Sequence, residues 1–179
     1  MLQHSTTNRL RRFLLVPSIV ACLSLGAFAA ITAAPAGTPA AEAAYPVPAA
    51  VVKALTANAN ANSTPTGKAI RVALAQRGDM YLWGAVGPDR FDCSGLMQYS
   101  WKKAGKSIPR TSYQQRVWSR TVAFADKQPG DFALYNGHVA MYIGYTDGQE
   151  WMIHAPRSGQ PVQIAPLRTR GLLKIGRVR

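Results

Sequence analysis

The sequence predicts an α+β domain, with helices first and an antiparallel sheet after them. Three observations carry that expectation. Apolar residues recur at helical spacing up to Trp118, as in Ile70, Ala73, Leu74 and again in Leu96, Met97, Trp101, Ala104, with Ser100 on the same core-facing side. After Pro129-Gly130 the pattern changes to short alternating segments. These segments lie close together, with turn signals at Asp147-Gly148 and Ser158-Gly159, which leaves no room for crossover helices and favours antiparallel pairing.

In chain order, residues 1–12 carry Arg9, Arg11 and Arg12 and no acid, and Phe13 to Ala34 form a long apolar run. Ala41-Glu42-Ala43 follows as an A-x-A cleavage site before Ala44, so residues 1–43 are expected to be an export signal and are set aside from the fold. An uncleaved anchor is the competing reading, opposed by Pro17, Gly26 and the many alanines. Ile19-Val20-Ala21-Cys22 resembles a lipobox, but Leu23 to Ile31 stay apolar beyond the cysteine. Arg11-Arg12 resembles a twin-arginine signal in a poor flanking pattern.

Residues 44–66 are rich in Ala, Asn, Pro, Ser and Thr and read as a flexible linker. Val47 to Leu55 suits a short helix but has no evident partner face. The domain is therefore placed at 67–179. Gly67 to Arg77 is the first helix, stopped by Gly78. Tyr81 to Asp92 is a loop punctuated by Gly and Pro. Ser94 to Ala104 is the second helix, ended by Gly105, and Thr111 is a good N-cap for a third that ends near Trp118. Strands are expected over 131–135, 138–145, 150–155, 162–167 and 173–178.

The full chain carries 21 Lys and Arg against 8 Asp and Glu. Without residues 1–43 the balance is 18 to 7, a net charge of +11. Such a protein is drawn to polyanions. No nucleic-acid motif is present and the basic residues are dispersed rather than clustered with aromatics, so nucleic acid is not the expected partner. Anionic cell-envelope polymers are, for an exported protein. The cysteines are Cys22 and Cys93; once Cys22 is removed no internal disulfide is possible, and stability must come from a packed core.

Cys93 stands in FDCSGL, with His138 in GHVAMYIG and His154 in WMIHAP. Together the runs YLWGAVGPDRFDCSGLMQYSWKKAGKSIPRTSYQQ, PGDFALYNGHVAMYIG and MIHAPRSGQPV resemble the NlpC-type cell-wall cysteine peptidases, a branch of the papain-like fold. The resemblance implies a secreted or wall-associated hydrolase of peptidoglycan stem peptides, cutting between D-γ-glutamyl and a diamino acid. It implies Cys93 as nucleophile, His138 as general base and His154 as the third polar residue. It places Tyr81 beside the nucleophile, with Asp92 and Ser94 flanking it in the substrate cleft. The chain departs from the family at Ala85, where glycine is common, and in the 16 positions that separate the two histidines, a longer hairpin than usual.

The chemistry also stands on the residues alone. A free thiol has a pKa near ~8.5, and Cys93 in the first turn of a helix would set its sulfur against the positive end of the helix dipole. A histidine on a neighbouring strand would take its proton and return it to the leaving amine. A second would fix the first ring's tautomer. Asp92, an acid beside the nucleophile, would suit a cationic group of the substrate. Each residue has an ordinary explanation too: a buried small hydrophobe for Cys93, hydrogen-bonded strand histidines, a core aromatic for Tyr81, a helix cap for Asp92. A zinc site built from Cys93, His138 and His154 lacks an accompanying CxxC or HxxxH. No metal or cofactor is expected, and a monomer is. The competing functions are a catalytically silent wall-binding or activator module, and a toxin or effector hydrolase or amidase of the same fold.

Overall fold

The computed structural model describes residues 45–179. The export signal, its cleavage site and the lipobox reading at Cys22 lie outside the described residues.

Helix α1 (Ala49–Ala61) occupies most of the segment expected to be a linker. Val51, Leu55 and Ala59 recur every four residues and are buried, forming one narrow stripe. That stripe packs on helix α2 (Pro65–Ala75) and on the central sheet. The linker expectation over 44–66 is therefore corrected: the Ala- and Asn-rich composition hid three core positions whose partners lie far along the chain. The turn between the helices is built by side chains. Arg71 donates to the carbonyls of Ala59 at 2.6 Å and Asn62 at 2.8 Å, which satisfies the end of α1. Thr64 caps α2 by accepting from the Gly67 N–H, with Pro65 at the first position.

The segment between α2 and the next helix is more ordered than a loop. Strand β1 (Met80–Tyr81) pairs in parallel with β2 (Arg90–Phe91), in a register that sets Tyr81 against Phe91. Helix α3 (Cys93–Lys103) follows directly. The core positions expected on it, Leu96, Met97, Ser100, Trp101 and Ala104, are all buried, and Gly105 ends it at φ 89°. Helix α4 (Ser112–Trp118) opens with a capping box between Thr111 and Gln114.

The rest is sheet: β3 (Arg120–Val122), a short 3₁₀ turn (Phe124–Asp126), β4 (Phe132–Tyr135), β5 (His138–Thr146), β6 (Gln149–His154), β7 (Gln163–Pro166) and β8 (Leu172–Arg177). The six strands run in the order β3-β8-β4-β5-β6-β7, every neighbour antiparallel. Asp147 and Gly148 both adopt positive φ at the β5–β6 turn, which a two-residue hairpin requires. One face of the sheet packs on the helices through Leu134, Val139, Met141 and Ile153. The other carries a smaller cluster around Tyr135, Ala140 and Met152. This mixed architecture matches the expected helices packed on an antiparallel sheet.

Candidate active site

The sequence DCSG builds the start of α3 by itself. Asp92 is the N-cap and accepts from the Gly95 N–H at 2.6 Å. Gly95 cannot be replaced without displacement, since a Cβ there would lie 2.1 Å from the Ala85 carbonyl oxygen. Cys93 is thus fixed as the first residue of α3, 8% exposed. Burial pushes its thiol pKa up, while the backbone N–H groups of Val139, Ser94 and Cys93 itself face the sulfur and act the other way. Burial is the larger influence, so the resting group is a thiol that needs a base.

Val139 is the second residue of β5, so its N–H brings the start of that strand against the start of α3. His138, the first residue, lines the same cleft as Cys93, a space of about 860 Å³. His154 reaches it from β6. The β5–β6 register sets Met141 against Ile153, which places Ala140 opposite His154 and His138 two residues along on the same face. His138 Nε2 and His154 Nδ1 are 3.0 Å apart. Burial, and after it the charge of Arg168, lower His138 to about 4. Burial, then His138, then Arg168 lower His154 to about 3. Both rings are neutral at pH 7. If His138 is to use Nδ1 as a base, its Nε2 must carry the hydrogen and donate to His154 Nδ1. His154 Nε2 is then the protonated nitrogen of its ring; it is buried and has no partner among the described residues.

Tyr81 also lines the cleft, half-buried, carried there by the β1–β2 pairing just before Cys93. Burial and the neighbouring Cys93 and Asp92 raise its pKa, against a smaller opposing influence of Arg110. Cys93, His138, His154 and Tyr81 are therefore brought together.

Asp92 and Ser94 are not among the residues that line this space. Asp92 is 7% and Ser94 5% exposed. Besides Gly95, the Asp92 carboxylate accepts from the Gly84 N–H at 3.0 Å and from Arg110 through two nitrogens, at 3.1 and 2.5 Å. Ser94 Oγ donates to Asp92 and accepts from Arg110 at 3.0 Å. The expectation that Asp92 meets a cationic substrate group is corrected, because its charge is already matched by a bidentate guanidinium. Burial raises the Asp92 pKa, but Arg110 and the hydrogen bonds outweigh it and the net shift is downward. Sequence reasoning does not single out Arg110 although it stands in the quoted run SIPRTS; an isolated arginine after Ile-Pro is the available signal. Fully buried Gln115, which donates to the carbonyls of Ser94 and Pro109 at 3.0 and 2.9 Å, had no signal at all.

The NlpC/P60 family profile matches residues 78–175, more than half of the chain. The chain belongs to the NlpC/P60 family. It is 44% identical over 116 residues to a protein of Corynebacterium glutamicum named as a probable endopeptidase, an alignment that covers 64% of this chain and 54% of that relative. The chain thus spans about half the length of this curated relative. A solved P60 domain of a Mycobacterium avium subspecies paratuberculosis antigen superposes with a TM-score of 0.56 at 31% identity, covering 63% of this chain and 93% of that one. RipD of Mycobacterium tuberculosis, described as a non-catalytic NlpC/p60 protein adapted to peptidoglycan binding, superposes with a TM-score of 0.56 at 32% identity, covering 66% and 100%.

Proposed function

We propose that this NlpC/P60 protein is a secreted cysteine endopeptidase that cleaves peptidoglycan stem peptides between D-γ-glutamyl and the diamino acid. The observation that carries this reading is the arrangement of Cys93 at the head of α3 with the hydrogen-bonded pair His138–His154 in one cleft. The kinship with proteins named as endopeptidases supports the reaction class.

In this mechanism His138 Nδ1 takes the thiol proton and the sulfur attacks the scissile carbonyl carbon. The carbonyl electrons move to oxygen, beside the positive end of the α3 dipole. When the carbonyl re-forms, the C–N bond breaks and the imidazolium gives its proton to the departing amine. Water then attacks the thioester and His138 takes its proton; as the C–S bond breaks the imidazolium returns that proton to the departing sulfur, and the acid product ionises to a carboxylate. His154 holds the His138 ring throughout.

The kinship with RipD favours one competing reading, a silent wall-binding module. One experiment separates them. Purified sacculi are digested with wild type and with Cys93→Ala, and the fragments are identified by mass. The expected result is release of fragments ending in D-glutamate with new N-termini on the diamino acid, abolished in the folded variant. Sacculi that bind the protein but remain intact would establish the silent module; cleavage at the sugar to L-alanine bond would establish an amidase. Retention on sacculi is expected to weaken as salt rises, as follows from the net charge of +11 expected once residues 1–43 are removed.

A further inference from the structure

Arg168 follows strand β7 and lines the Cys93 cleft. Its guanidinium lies over the Tyr135 ring, 5.2 Å from the centroid, and the Tyr135 hydroxyl donates to the Arg168 carbonyl at 2.8 Å. Tyr135 is itself paired with His138 across the β4–β5 hairpin, their ring centroids 6.0 Å apart. The buried neighbour Leu167 anchors the segment by donating its N–H to the Glu150 carbonyl at 2.8 Å. An exposed arginine is thus held in place beside the catalytic histidine from both its backbone and its side chain.

Arg110 has Asp92 and Arg177 has Asp131, whereas Arg168 forms no ion pair among the described residues. Among the described residues, no aspartate or glutamate lines the cleft. A positive group stacked on an aromatic ring, with no acidic partner among the described residues around it, is arranged to receive an anion. The stem peptide offers two carboxylates close to the bond assigned above: the free α-carboxyl of the γ-linked D-glutamate, and the side-chain carboxyl of a diaminopimelate.

We propose that Arg168 is a specificity-determining residue that pairs with a free carboxylate of the stem peptide next to the scissile bond, so that the enzyme discriminates acid from amidated stems. The proposal rests on the bond assignment in the preceding subsection. It makes amidation, which replaces a carboxylate by a neutral amide of nearly the same shape, a chemical means of resistance to this cleft.

The test uses the tetrapeptide L-Ala-γ-D-Glu-diaminopimelate-D-Ala in four forms: both carboxylates free, either one amidated, and both amidated. Losing a charge-assisted pair at one position is expected to lower kcat/KM of the wild type by about 10- to 100-fold. The single amide that causes this loss identifies which carboxylate is bound. In Arg168→Gln the ratio of acid to amide kcat/KM should fall toward one, and Arg168→Lys should keep an intermediate ratio. Equal kcat/KM for all four peptides in the wild type, or an undiminished ratio in Arg168→Gln, overturns the proposal and leaves the bond assignment standing. If Arg168→Gln fails to fold, Arg168→Met takes its place and is read by the same ratio. Failure of the wild type to cut any of the four overturns the bond assignment and this proposal with it.

Discussion

The hydrogen bond between His138 Nε2 and His154 Nδ1 gives the two rings unequal tasks, and that inequality is measurable. His138→Ala removes the only base in the proposed mechanism and is expected to lose essentially all activity. His154→Gln keeps an acceptor for the His138 N–H and should retain a measurable part of kcat with the fold intact. Equal and complete loss in both folded variants would mean that the assignment of base and orienting residue is wrong. The two histidines and Cys93 were legible in the sequence because a helix start and a hairpin register fix their placement locally. The role of Asp92 was not legible. Its counter-ion Arg110 stands 18 positions away, across a helix and a loop, and no local pattern links the two. An acid beside a nucleophile suggests a binding group until the guanidinium that occupies it is seen.

At the scale of elements, helices α2 to α4 and strands β4 to β8 could be read directly, because each has a clear period and a chemical stop signal. What escaped was short or sparsely apolar. β3 is three residues, and only its pairing with β8 makes it a strand. α1 displays a stripe one residue wide among alanines and asparagines, and its partner face comes from α2 and β5. Leu55 is fully buried at the centre of that stripe, beside Gly144 of β5. Leu55→Ala is expected to cost about 2–5 kcal/mol by loss of transfer energy and by the cavity left behind. Asn60→Ala, on the exposed side of the same helix, should stay within about 0.5 kcal/mol. Urea unfolding of both variants checks the pair; similar small effects would restore the linker interpretation of 44–66.

For the molecule as a whole, the buried histidine pair sets how stability depends on acidity. An unfolded histidine takes up a proton near pH ~6.5, whereas His138 in the native protein stays neutral to about 4 and His154 to about 3. Between those limits the unfolded chain binds more protons, so stability is fully present above 6.5 and is lost as pH falls toward 3. Each histidine contributes a slope of up to about 1.4 kcal/mol per pH unit in that window. Unfolding free energies measured from pH 7 to 4.5 should therefore decline, less steeply in His154→Gln. A profile that stays flat over this range would show that neither ring is held neutral by the fold.

The position of Tyr45 has a practical bearing. The Tyr45 backbone N–H donates to Gln163 Oε1 at 2.9 Å, its ring packs edge-on to Trp151, and both Tyr45 and Pro46 line the wall of the Cys93 cleft. Arg179 instead belongs to a groove formed with Pro109, Tyr113 and Trp118, which shares no residue with the cleft. Anything attached immediately before Tyr45, whether a purification handle or a fluorescent reporter, starts its path at the mouth through which substrate must pass. A tether fixed at Arg179 would leave that doorway unobstructed.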